Sequence, residues 1–310
     1  SRARIFPRGY GMICSHKGGG ALGIELLQRA INFMEEHLLE DIGYVEAAKS
    51  VHMSGYSFHR VFSFTVGMTA NEYIRRRRLS LAGQELRAGN ISVLDAALKY
   101  GYESPESFTK AFAKFHGSTP RQVKAGGAAL RLFDPLMIKI TIGGGGMLEY
   151  RLEHRERMRF IVVKRAFDNE TLLDREGRSI PDFWTECGEK GLIEPMQKLC
   201  PEGERDLYGL CGPVRKSETE FYYGIGIRDN GRIGELAEGE YDLWETEPAD
   251  YAVFKCKGPD GECIGAAWDR FFKEFCPQTG YAQTDAPDFE LYYERGEPGV
   301  FCELWVPVRK

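Results

Sequence analysis

The 310-residue chain contains no run of 18 apolar residues, so no segment reads as a membrane-spanning helix, and its start lacks the apolar block of a secretory signal. Its eight cysteines include no C-x-x-C pair, and none of the six histidines stands beside them at zinc-ligand spacing. Disulfides would suit a secreted chain, but without a secretion signal these cysteines read as reduced thiols, several of them buried on strands. Nucleophile motifs, phosphate-cradling glycine loops and metal-binding clusters are also missing, which leaves covalent catalysis, nucleotide hydrolysis and metal chemistry without support. The expectation is a cytoplasmic, non-enzymatic protein with no cofactor, no metal and no membrane partner.

What is present is an ordinary globular composition, 43% hydrophobic, in a chain long enough for about two domains. The net charge of −5 hides an asymmetry. Residues 22–125 hold 13 Lys and Arg against 11 Asp and Glu, whereas 126–310 hold 24 against 35. Only the first part is suited to meet a polyanion. Residues 1–21, with three arginines and the run Gly18 to Gly20, read as a flexible leader, and the glycine-rich stretch 126–146 as a linker around an extended apolar segment, Leu132 to Ile142. The domains are then 22–125 and 147–310.

The first domain repeats itself once. A shift of 50 residues carries Ala47, Ser54, Ser57, Phe58, Phe62, Gly67 and Thr69 onto Ala97, Ser104, Ser107, Phe108, Phe112, Gly117 and Thr119. Each copy has a short helix, a turn, and a serine placed to cap a second helix whose phenylalanines lie one turn apart, the outline of a helix-turn-helix. Ile24, Leu27, Ile31 and Met34 give an amphipathic helix ahead of the first copy, and Asn71 to Leu86 a long helix between the two. In the first copy Phe58, Val61, Phe62 and Thr65 share one face, while Gly55, Tyr56, His59, Arg60 and Ser63 share the other. The equivalent outer face of the second copy presents Pro105, Glu106, Thr109 and Lys110. Arg75 to Arg78 cover most of a helical turn, so some must anchor the linking helix while others point toward phosphate. His116, just before a glycine, reads as a helix-end residue.

The stretches SGYSFHRVFSFTVGMTANEYIRRRRL (Ser54–Leu79) and GYESPESFTKAFAKFHGSTP (Gly101–Pro120) resemble the DNA-binding domain of the AraC/XylS family of bacterial transcription regulators. His52 departs from that pattern, standing where the first turn commonly has glycine. The resemblance implies two recognition helices entering successive major-groove segments of double-stranded promoter DNA, with Tyr56, His59, Arg60, Glu106, Thr109 and Lys110 as candidates for base contact. Arg60 suits guanine, Lys110 guanine or phosphate, and Glu106 cytosine. The first helix, through Arg60, is expected to carry more of the specificity. Two such helices in one chain make a dimer unnecessary, so a monomer is expected.

From Met147 the period changes to two: Leu148, Tyr150 and Leu152 alternate with Glu149, Arg151 and Glu153. The rest reads as two copies of strand, helix, strand, strand, with Trp184 and Trp268 at comparable points on the two helices. The whole is a multidomain chain, an all-α double helix-turn-helix domain followed by an α+β domain with helices on one face of an antiparallel sheet. The stretches PDFW (Pro181–Trp184), YGLCG (Tyr208–Gly212), FYYGIGI (Phe221–Ile227), DYAVFKCKG (Asp250–Gly258), FELYYE (Phe289–Glu294) and CELWVPV (Cys302–Val308) resemble the GyrI-like effector-binding domain. Ala249-Asp250 departs from it where a glycine is usual.

That resemblance implies a pocket between the copies. Glu303, on a strand face with Phe301 and Trp305, is the expected acidic centre, with Trp184, Tyr223, Trp268 and Tyr292 as walls for a small aromatic, cationic effector. A competing reading pairs Glu303 with an arginine or a tyrosine hydroxyl and leaves the aromatics as core. The leading function is a ligand-responsive transcription regulator whose effector shifts DNA occupancy or contact with RNA polymerase. The alternatives are a small-molecule hydrolase using Glu303 as general base with Tyr223 as acid, and a protein-binding module.

Overall fold

The computed structural model describes residues 19–138, 148–214 and 217–310, with side chains from residue 25 onward. Residues 1–18 of the proposed leader and 139–146 of the proposed linker therefore lie outside the described residues, while Gly19 to Ala21, placed in the leader, begin a helix. Seven helices form the first domain: α1 (Gly19–Glu36), α2 (Tyr44–Ser50), α3 (Gly55–Val66), α4 (Ala70–Arg87), α5 (Val93–Lys99), α6 (Pro105–His116) and α7 (Pro120–Lys124).

The repeat is visible in the caps. Ser54 Oγ accepts the Ser57 amide at 3.2 Å to start α3, and Ser104 Oγ accepts the Ser107 amide at 3.1 Å to start α6. Both helices end in a left-handed glycine, Gly67 at φ 78° and Gly117 at φ 77°. The two turns differ as the residues foretell: Gly101 sits at φ 79° without strain, while His52 holds φ 57°, a conformation histidine adopts at some cost. Phe58 and Phe62 are wholly buried against α1, α2 and α4, and Phe108 and Phe112 fill a second core against α4, α5 and α7. Each is worth about 1.5–3 kcal/mol relative to exposure, which fixes the inward faces of α3 and α6.

Residues 125–138 form no regular element but run back along this domain. Leu130, Phe133, Leu136 and Ile138 pack on its two cores, and Ser80 Oγ accepts the Phe133 amide at 2.9 Å. The arginine run of α4 is held entirely within the chain: Arg75 and Arg76 on Glu72, Arg77 on Glu35 and the Phe133 carbonyl, and Arg78 on the Leu38 and Glu40 carbonyls. The division between anchoring and phosphate-seeking arginines is thus not observed in this conformation.

The second domain contains β1 (Arg151–Arg155), β2 (Met158–Asp168), α8 (Ile180–Glu189), α9 (Ile193–Lys198), β3 (Leu207–Pro213), β4 (Glu220–Arg228), β5 (Asp242–Thr246), β6 (Ala249–Lys257), α10 (Glu262–Arg270), α11 (Cys276–Thr279), β7 (Ala282–Gln283), β8 (Asp288–Tyr292) and β9 (Val300–Arg309). A π-helical turn, Phe271–Phe275, joins α10 to α11. The strands make one antiparallel sheet in the order β1-β6-β9-β8-β3-β4-β2-β5, with β7 beside β9. The internal duplication is plain in that order: β2, α8, β3 and β4 correspond to β6, α10, β8 and β9, and the copies meet where β3 pairs with β8.

Both faces of the sheet are apolar. One carries the helices: Phe254 and Leu304 of the sheet pack with Phe271 and Phe275 of the π-helical turn, and Phe167 and Phe221 pack with Phe183 of α8. The other carries no helix among the described residues; Phe160, Tyr208, Tyr251, Phe289 and Trp305 close it as the sheet curls, with Phe289 and Trp305 stacked at 5.3 Å. The described cysteines are free thiols, and Cys211, Cys256 and Cys302 are buried on strands.

Candidate functional site

Alternation along β8 sends Asp288, Glu290 and Tyr292 to the helix-bearing face and Phe289 and Leu291 to the other. Glu290 lies opposite Gly209 of β3, at the seam between the copies. Tyr223 of β4 reaches across that glycine and donates its hydroxyl to Glu290 Oε2 at 3.0 Å. A Cβ at Gly209 would stand 2.2 Å from the Tyr223 hydroxyl and 2.4 Å from Glu290 Oε2, so only glycine lets the pair meet over the strand. Trp184 Nε1 of α8 donates to the Tyr223 oxygen at 3.0 Å, and its indole lies edge-on to Tyr292, centroids 5.3 Å apart. Glu290 is thus a buried carboxyl set among aromatic side chains. Burial, reinforced by the neighbouring Asp288 charge, pushes it up to about 7.

Asp288, on the same face, is fully buried and meets two side chains from the other domain. Tyr56 donates to it at 3.0 Å, and Arg60 Nη1 donates to both its oxygens, at 2.9 and 3.2 Å. The Arg60 guanidinium lies 3.9 Å from the centroid of the Trp268 ring. Burial works against the Arg60 charge, and Asp288, Tyr56 and Cys211 together more than restore it, Asp288 contributing most. Around this pair, Phe64 stacks on Trp268 and Phe272, each at 5.8 Å. Ser54 and Ser57 donate to Asp285 Oδ1 at 2.6 and 2.5 Å. His59 is buried beside Tyr44, and burial pushes it down to about 4. The outer face of α3 is therefore an interdomain contact. Tyr56, His59 and Arg60, expected to face base edges, face the sheet domain in this conformation. Glu106 and Lys110 on α6 are exposed and Thr109 is half-exposed, as expected of an open face.

Glu303 does not belong to this group around Glu290. It stands opposite Leu291, on the helix-free face, where Arg151 grips it with two hydrogen bonds of 2.7 and 2.6 Å and Tyr293 donates at 2.8 Å. Although burial alone would raise it, these donors hold its carboxyl below the ordinary value. Of the expected walls, Trp184, Tyr223 and Tyr292 do gather around one carboxylate, and Trp268 stands next to its neighbour. Because Glu303 and Tyr223 lie on opposite faces, the acid-base pairing for a hydrolase is not formed. The sequence reading missed Glu290 although it lay within FELYYE; the signal was its parity with Asp288 and Tyr292. Among the described residues no group of His, Cys, Asp and Glu is arranged to hold a metal ion, and no helix is long and apolar enough to cross a membrane.

Residues 47–126 match a family model described as a helix-turn-helix domain, and residues 151–308 match that of an integron-associated effector binding protein. The transcriptional regulator Rob of Salmonella typhimurium is 32% identical over 306 residues, spanning 92% of this chain and 98% of that one. The HTH-type transcriptional regulator YbfP of Bacillus subtilis is 38% identical over 94 residues, 30% of this chain and 32% of that one. Among solved structures, a putative transcription regulation protein of Staphylococcus aureus, 22% identical, aligns with a TM-score of 0.41 over 53% of this chain and 100% of its own. Likeness to Rob along nearly its whole length, with the helix-turn-helix and effector-binding models matched in that order, shows that the chain belongs to the AraC/XylS family of transcription regulators, in the arrangement that adds a GyrI-like effector-binding domain.

Proposed function

We propose that this regulator answers to a small aromatic cation, which binds at Glu290 beneath Trp184, Tyr223 and Tyr292 and alters how α3 and α6 engage promoter DNA in the cytoplasm. The observation that carries this reading is the pairing of a buried carboxylate with aromatic rings: among the described residues Glu290 has no cationic partner, only the Tyr223 hydroxyl. A carboxylate in such surroundings is costly to ionise alone, and a lipophilic cation would bring both the charge and the stacking surface. Trp184 and Tyr292 are only partly buried and offer the approach.

The DNA contacts belong to Arg60, Tyr56 and His59 on α3, and to Glu106, Thr109 and Lys110 on α6. Contact with RNA polymerase is a further part of the reading. The test of the effector site is calorimetric titration of the full chain with tetraphenylphosphonium, a lipophilic aromatic cation. Glu290→Gln should weaken binding tenfold or more, and Glu303→Gln, on the far side of the sheet, should leave it within about twofold, where 1.4 kcal/mol corresponds to tenfold. Equal affinities for Glu290→Gln and the unaltered chain would remove Glu290 from the site.

A further inference from the structure

The face of α3 that a helix-turn-helix presents to DNA is here turned into the effector domain. Tyr56, His59, Arg60 and Ser63 lie one turn apart on that face, opposite the buried Phe58 and Phe62. The contact is built at three depths. At the rim, Lys49 pairs with Glu218 at 2.8 Å, and Ser54 and Ser57 bond Asp285. In the middle the helix backbone touches the other domain: a Cβ on Gly55 would stand 2.4 Å from the Glu218 carbonyl oxygen, which leaves no room for nucleic acid between them. At the bottom, Arg60 and Tyr56 bond Asp288 under the Trp268 ring.

Arg60 thus does what the effector is expected to do. It is a planar cation laid on an indole and paired with a buried carboxylate, one strand period from Glu290. We propose that this docked arrangement is a self-bound state of the regulator. Arg60 acts as a tethered stand-in for the effector, and an incoming organic cation displaces it and frees α3 to read DNA. This rests on the reading of the Glu290 cleft as the effector site and of α3 as a recognition helix.

Asp288 explains why release is coupled to a ligand. Withdrawing Arg60 alone leaves a carboxylate buried without a cation, which is unfavourable, whereas a second cation removes that penalty. Docking and DNA reading exclude each other because they use the same atoms of Tyr56 and Arg60. The self-bound chain keeps α6 exposed, so it retains a partial DNA contact that the effector strengthens. The sign of the coupling follows: the cation tightens DNA binding.

The test uses the full chain and a duplex enriched from a random pool on the Asp285→Ala chain, which lacks an exposed carboxylate of the lock but none of the reading residues. At fixed salt, Asp285→Ala and Asp288→Asn should each bind this duplex five- to tenfold tighter than the unaltered chain. Saturating tetraphenylphosphonium should bring the unaltered chain to the affinity of Asp285→Ala. Backbone amides of residues 55–66 should exchange hydrogen faster in both variants even without DNA. Equal DNA affinities in all three chains, together with unchanged exchange in α3, would overturn the inference. Failure to enrich any duplex, or absence of heat on adding the cation, would instead overturn the regulator reading beneath it, and the exchange measurement would still decide whether α3 is locked.

Discussion

Two carboxylates on one face of β8 sit two residues apart, and among the described residues only Asp288 has a cation. Glu290 is left with a tyrosine hydroxyl, and burial raises its pKa from 4.5 to about 7. The folded chain then holds a proton that the unfolded chain releases. This contribution to stability is full below about pH 4.5 and is lost as pH rises to about 7. Between pH 5 and pH 8, urea unfolding of the unaltered chain should therefore lose about 1–3 kcal/mol more than that of Glu290→Gln, which has no proton to give up. Identical pH profiles would mean that Glu290 is not held protonated by its surroundings. The same residue shows where sequence reasoning ran out. Both faces of this sheet are apolar, so alternation on β8 and β9 separates the residues into two sets without saying which set meets the helices. Glu303 stood among aromatics as convincingly as Glu290 did, and what occupies it is the Tyr293 hydroxyl and the Arg151 side chain, the latter more than a hundred residues away.

At the scale of elements, α3 and α6 are built alike and placed differently. Their serine caps, paired phenylalanines and terminal glycines were all legible, because each is a local requirement of one helix. So was the duplication of the sheet domain, apart from the short β5 and β7. What periodicity could not reveal was the partner of the polar face. Tyr56, His59 and Arg60 have the pattern of a solvent-facing stripe, and the partners of Tyr56 and Arg60 come from β8 and α10, outside any window that a local signal covers. The arginine run on α4 met the same limit, since Glu35 and the connector carbonyl at Phe133 were not local to it. The open face of α6 makes its own expectation: Lys110→Ala should weaken DNA binding similarly across sequences and lower the salt slope by about 1. An unchanged salt dependence would place Lys110 off the duplex.

At the scale of the molecule, α3 meets the sheet domain through a buried ion pair, Arg60 with Asp288, and an exposed one, Lys49 with Glu218. In the proposed self-bound state the effector and α3 compete for the same acidic, aromatic surface, and linkage then requires the effect to be reciprocal: whatever factor the cation adds to DNA affinity, DNA adds to cation affinity. The connector of residues 125–138 is bonded to the first domain, so release of α3 changes the contact between domains without unfolding either core. The most direct measurement needs no DNA. Titrated with tetraphenylphosphonium, the 310-residue chain carrying Arg60→Ala should bind the cation at least fivefold more tightly than the unaltered chain, because the tethered competitor is gone. Equal or weaker binding by Arg60→Ala would show that Arg60 does not hold the effector's place.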